Sequence, residues 1–135
     1  MPLVDTNILL DLFTDDPIWA DWSARQLRIL SVQEALVVNP VVYAELSVGF
    51  DRIEELDAAL ATAGVDLLES PRAALFLAGQ AFRTYRAQGG TRTGVLPDFF
   101  IGAHAVVAGM SLLTRDTRRY RSYFPTVVLI TPGDA

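Results

Sequence analysis

The sequence predicts an α/β domain built on a mostly parallel sheet that helices cover on both faces. Short apolar runs of strand length alternate along the chain with longer stretches whose apolar residues recur at helical spacing. Cap, glycine and proline signals separate most of them, and this alternation is the pattern of a parallel sheet between helical layers. The chain has 135 residues, 51% of them hydrophobic, which is enough to bury a core without staples, so a single domain over 1–135 is expected.

The elements follow in order. Pro2 to Asp5 reads as a first strand and Thr6 to Phe13 as a short helix. Asp16-Pro17 has the form of an N-cap followed by proline at the first helical position, opening a helix whose apolar periodicity runs from Ile18 to Val32. Ala35 to Val38 is a buried strand, ended by Asn39-Pro40, again a cap before proline. Val41 to Phe50 and Arg52 to Ala63 read as two helices, the second closed by Gly64. Val65 to Leu68 is a brief strand, and Ser70-Pro71 opens a long helix to about Gln88, stopped by Gly89-Gly90. Thr91 to Leu96 is a loop. Pro97-Asp98 opens the next helix, which Gly109 closes; Ser111 to Thr114 is a strand, Arg115 to Tyr123 a short helix, and Thr126 to Ile130 a final strand.

Missing residue types exclude several chemistries. There is no cysteine and only one histidine, so disulfides are absent and a zinc site is disfavoured. All eleven basic residues are arginine, and the lack of lysine rules out a P-loop and a Schiff-base lysine. No G-x-S-x-G elbow is present, and Asp5-Thr6-Asn7 stands where a glycine-rich dinucleotide turn would follow the first strand. The longest apolar stretch, Phe99 to Leu113, is interrupted by His104 and two glycines and falls short of the ~20 residues a membrane span needs. The opening residues carry no basic segment followed by an apolar one, so a cytoplasmic location without a membrane is the expectation. A mean hydropathy of +0.30 is high for a soluble monomer and hints at a partner surface.

What the chain does supply is carboxylate, hydroxyl and arginine. Asp5, Glu45, Asp98 and Asp116 each fall where a strand hands over to a helix or within that helix's first turns. In an open α/β sheet those points gather along one edge, where ligands bind. Asp5, Asp98 and Asp116 have a plainer reading as helix caps. Glu45 does not, because it sits inside the apolar segment Val41-Val42-Tyr43-Ala44-Glu45-Leu46. Four acids in one crevice resist ionising together unless a positive charge joins them, and hard oxygen ligands select Mg²⁺ or Mn²⁺. The net charge of −5 argues at first against a nucleic-acid partner, yet setting those four acids aside brings the balance close to neutral. Arg115, Arg118, Arg119 and Arg121 crowd around Asp116, and guanidinium forks suit phosphate. Arg83, Arg86 and Arg92 form a second group that reads equally as a solvated face. Gly102, Ala105 and Gly109 continue the face of Asp98 and are small enough to admit a close approach. His104 points off that face and reads as structural, and Asp11 reads at most as an outer residue of the site.

At these positions the chain resembles the PIN-domain ribonucleases, specifically VapC-type toxins of bacterial toxin–antitoxin pairs. The resemblance rests on Leu3-Val4-Asp5-Thr6-Asn7, Val41 to Leu46, Pro97-Asp98-Phe99-Phe100-Ile101-Gly102-Ala103 and Leu112-Leu113-Thr114-Arg115-Asp116, with the tail from Tyr120 to Pro132. It covers nearly the whole length. It implies a three-layer α/β/α PIN-like domain, usually homodimeric, inhibited by a cognate antitoxin whose C-terminal segment occupies the groove. It implies too that Asp5, Glu45, Asp98 and Asp116 form a metal-binding acidic quartet, that Thr6 and Asn7 orient Asp5 or a metal-bound water, and that Thr114 is the hydroxyl beside the last acid. Two departures stand out: Asn39 where Thr or Ser is common and Tyr120 where Phe is common, both expected to stay clear of the acids.

The expected function is metal-dependent hydrolysis of RNA phosphodiester bonds by one or two Mg²⁺ or Mn²⁺ ions, with Arg115, Arg118 and Arg119 positioning the backbone. The alternatives are a PIN-like domain that binds RNA or protein without cutting, and a metal-dependent phosphohydrolase acting on DNA or small phosphoesters.

Overall fold

The computed structural model describes residues 1–133. Its elements are β1 (Leu3–Val4), α1 (Thr6–Phe13), α2 (Ala20–Gln33), β2 (Leu36–Val38), α3 (Pro40–Ser47), α4 (Ile53–Ala63), β3 (Val65–Leu67), α5 (Arg72–Ala87), α6 (Pro97–Ala108), β4 (Leu112–Leu113), α7 (Arg118–Tyr123) and β5 (Leu129–Ile130). The five strands form one sheet in the order β3-β2-β1-β4-β5, and every pairing is parallel. Leu3 lies opposite Val37 on one side and Leu112 on the other, which puts β1 at the centre.

The strands are two or three residues long, and all but β3, which carries Asp66, are wholly apolar. Leu3, Val4, Leu36, Val38, Leu112 and Leu113 have no exposed surface, as expected where helices cover both faces. From β1 the chain steps outward through β2 to β3, then returns to the other side of β1 for β4 and β5. The order reverses between β1 and β4, and a crevice opens at the carboxyl ends of such a pair. Asp5 and Thr114 are the first residues beyond those two ends.

Several helix boundaries follow from capping. Asn39 accepts from the Val42 backbone N–H at 3.0 Å with Pro40 at the first helical position, and Gly109 closes α6 at φ 65°. Asp16 accepts from the N–H groups of Ile18 and Trp19, both at 2.9 Å, but residues 17–19 form a turn and α2 begins only at Ala20. The last helix is shorter than the predicted 115–123, because the backbone N–H groups of Arg115 and Asp116 turn inward to Asn7 and Thr114.

Ala74, Ala78 and Ala81 are buried at one-turn spacing on α5 and let α6 approach closely. On α6, the small residue Gly102 is occupied from within the chain: an added Cβ would overlap the ring of Phe124. The space expected beside Asp98 for an approaching ligand is therefore filled by the protein's own aromatic side chain. No helix among the described residues is long and apolar enough to cross a membrane.

His104 is fully buried on α6, and neither ring nitrogen has a hydrogen-bond partner among the described residues. Burial pushes the imidazole below its ordinary value of 6.5. The unfolded chain then binds a proton that the native state refuses, so this group's contribution to stability falls as pH drops below about 6.5. His104→Leu is expected to lose that dependence. Urea unfolding of variant and wild type between about pH 5 and 7.5 checks it, with the gap in favour of the variant widening toward acid.

Candidate active site

The site is built on the ends of β1 and β4 and the helices that follow. Asp5 ends β1 and caps α1, with φ −73° and ψ 154°, so the plainer reading of this residue and the functional one are satisfied by the same geometry. Its carboxylate is only 4% exposed. Oδ1 accepts from the Thr6 backbone N–H at 2.7 Å. Oδ2 accepts from Thr114 Oγ1 at 2.7 Å, Tyr120 OH at 2.9 Å and Asn7 Nδ2 at 3.3 Å. Burial, helped by the Asp98 charge, raises the Asp5 carboxyl to about 6 against the lowering effect of the Thr114, Tyr120 and Thr6 bonds. Burial and the nearby Asp5 charge also push the Tyr120 hydroxyl well above its ordinary value, so it remains a donor.

The expected supporting residues surround this carboxylate. Thr6 is buried, and its hydroxyl donates to Glu45 Oε1 at 2.7 Å, which links α1 to α3 and ties Glu45 to the residue that follows Asp5. Asn7 reaches Thr114 Oγ1 through Nδ2 at 3.3 Å and accepts the Arg115 N–H at 3.1 Å. Thr114 Oγ1 accepts the Asp116 N–H at 3.0 Å, fixing the turn that carries the last acid. Asp98, the second residue of α6, pairs with Arg119 Nη1 at 3.1 Å. Its carboxyl is raised first by burial, lowered by Arg119 and raised again by the Asp116 charge. Arg119 lies over the rings of Tyr85 and Phe99 at 5.8 and 5.7 Å, so one guanidinium is held by an acid and two aromatic faces. Asp98, Asp116, Arg118, Arg119, Tyr85 and Tyr123 line a cleft of about 500 Å³.

Two expectations are corrected. Arg115, expected on the nucleic-acid backbone, is held by Asp11 in a two-pronged pair at 2.7 and 2.8 Å and packs over the ring of Trp19 at 5.0 Å. Asp11 is 3% exposed and also accepts from Ser23, so a fork–fork pair this enclosed is a structural anchor. Tyr120, expected to stay clear of the acids, donates to Asp5. No local signal in the sequence marks this contact, because the two residues lie 115 positions apart. In the second arginine group, Arg86 donates to the carbonyls of Gly90 and Arg92 and braces the loop before α6.

Among the described residues, no three acidic or histidine side chains stand close enough together to enclose a metal ion as placed. Asp98 faces Arg119, which serves as the local cation. The donor chemistry nevertheless fits a hard dication. The acids offer only carboxylate oxygen, the donor that hard dications select, and the Asp98 and Asp116 charges act on one another in the same cleft.

The PIN domain profile matches residues 3–124, and the chain belongs to that family. It is similar in fold to VapBC2 from Rickettsia felis, solved bound to a DNA fragment from their promoter, at 19% identity and a TM-score of 0.72 over 96% of each chain. It is similar to VapBC-1 from nontypeable Haemophilus influenzae at 21% identity and a TM-score of 0.69 over 96% of each chain. FitAcB from Neisseria gonorrhoeae matches at 20% identity and a TM-score of 0.69 over the full length of both chains. Comparison with curated proteins gives no match.

The raised Asp5 carboxyl has a consequence for the metal-free protein. A folded value above the ordinary 3.8 gives a contribution that is fully present below about pH 4 and is lost as pH rises through about 6. Asp5→Asn keeps a residue able to cap α1 and removes the buried charge, whose cost is on the order of 2–3 kcal/mol. In EDTA near neutral pH this variant is expected to be at least as stable as wild type, with a gain of about 1 kcal/mol after imperfect rematching of donors. Chemical denaturation at about pH 7.5 and pH 4.5 is the measurement, and the gain should vanish at the lower pH.

Proposed function

We propose that this PIN-domain protein is a metal-dependent endoribonuclease, the toxin of a VapBC-type toxin–antitoxin pair, working in the cytoplasm as a homodimer. The observation that carries the reading is the buried, undercompensated carboxylate of Asp5, with Glu45 tied to it through Thr6 and the Asp98–Asp116 pair across the adjoining cleft. Asp5, Glu45, Asp98 and Asp116 would hold Mg²⁺ or Mn²⁺, which when bound would supply the Lewis acidity for water activation and for offsetting phosphate charge. The chain's own residues do the rest. Thr114, Asn7 and Thr6 hold the Asp5 and Glu45 carboxylates in place, and Arg118 and Arg119 bind the phosphates flanking the scissile bond.

Partner surfaces support the second half of the reading. An apolar groove of about 670 Å³, lined by Leu12, Phe13, Leu27, Ala59 and Ala63 among others, runs between α1, α2 and α4 and offers a seat for an antitoxin segment. Val48, Ile53 and Phe76 are exposed apolar side chains available to a second copy.

Short single-stranded RNA, single-stranded DNA and nucleotide substrates compared in Mn²⁺ test the activity. RNA should be cut, and Asp5→Asn or Asp116→Asn should lower cleavage by orders of magnitude. Equal cleavage by Asp5→Asn sinks the assignment. Without RNA, Mn²⁺ at about 100 times its Kd should stabilise the wild type by about 2.7 kcal/mol. Arg119→Gln removes the cation paired with Asp98, so it should bind Mn²⁺ more tightly and yet cleave more slowly. Isothermal titration beside a cleavage assay reads both effects.

A further inference from the structure

Tyr120 stands on the central turn of α7 with its side chain only 1% exposed. A phenylalanine ring would bury as much apolar surface there, so the hydroxyl is the part that calls for a physical account. Its acceptor is Asp5 Oδ2 at 2.9 Å, a charge-assisted bond inside the protein. A carboxylate oxygen has about two lone-pair directions. Among the described residues, Oδ2 already receives Tyr120, Thr114 and, at longer range, Asn7, whereas Oδ1 receives only the Thr6 backbone N–H. One oxygen of Asp5 is saturated and the other is not.

We infer that Tyr120 is a positioning residue: its hydroxyl locks the Asp5 carboxylate in the orientation that reserves Oδ1 for a divalent ion, and it ties α7 to that carboxylate. This rests on the metal-dependent reading above. Without the hydroxyl, Thr114 and the long Asn7 contact alone restrain Oδ2, and the carboxylate gains freedom to turn either oxygen toward the crevice. The same link sets the placement of the two arginines that precede Tyr120. Arg119 reaches Asp98 and Arg118 lines the cleft because the helix carrying them is pinned to the end of β1. A ligand carboxylate oriented by its outer hydrogen-bond partners typically depends on them for 10–100-fold in metal affinity or activity.

Tyr120→Phe keeps the buried ring and removes only the donor. Mn²⁺ binding without RNA, followed by isothermal titration and by the Mn²⁺ paramagnetic resonance spectrum, is expected to weaken about 10-fold with an altered spectrum. In the cleavage assay kcat should fall by a similar factor while KM for RNA stays unchanged. Unaltered affinity, spectrum and kcat overturn the inference, and so does a rise in KM alone, which would place Tyr120 at the substrate. Mg²⁺ titration of the wild type with ¹³C-labelled tyrosine gives a readout that needs no variant: the Tyr120 ring signal should shift on saturation, and a signal that stays put overturns the inference even if the variant fails to fold. Wild-type protein that binds no Mn²⁺ would overturn the metal reading itself, and this inference with it. Equal binding by wild type and variant overturns only this inference.

Discussion

The Asp5 carboxylate sits at the end of the central strand with almost no access to water, and an ionised acid persists there only if donors replace its hydration. The donors come from the start of α1, the end of β4 and the middle of α7. Meeting that one electrostatic demand therefore fixes how three separate parts of the chain converge. The match is incomplete: even with these bonds, burial still raises the carboxyl to about 6.

A second network holds the frame in which the first one works. Asp11 grips Arg115 with both oxygens, and the Arg115 backbone in turn donates to Asn7, so the turn after β4 is fastened to one face of α1. Trp19 and Ser23 close the pair from the side of α2. Taking away Arg115 leaves the Asp11 charge buried and unmatched. Arg115 thus shapes the active edge by placing Asp116, with its own guanidinium turned away from the cleft.

The cleft side follows a different rule. Asp98 and Asp116 repel each other, and Arg119 offsets part of that repulsion while lying over two aromatic faces. A guanidinium suits this role better than an ammonium, since it is planar, weakly hydrated and able to stack while it donates. The all-arginine composition reads sensibly in that light. A helix of six residues that carries Arg118, Arg119 and Tyr120 in succession serves the cleft, the acid and the core at once.

The sequence by itself determined the layer architecture and the four acids with Thr6, Asn7 and Thr114 as the residues to watch. These were legible because they follow local rules: apolar run length, helical period, cap chemistry and the short motifs around each acid. Tertiary structure alone decided which arginines face the cleft, what occupies the space at Gly102, that His104 is buried without a partner, and that Tyr120 touches Asp5. Each of those depends on contacts between residues distant in the chain. Asp11 lies 104 positions from Arg115 and Tyr120 lies 115 from Asp5, separations at which periodicity and propensity carry no information about which side chain meets which.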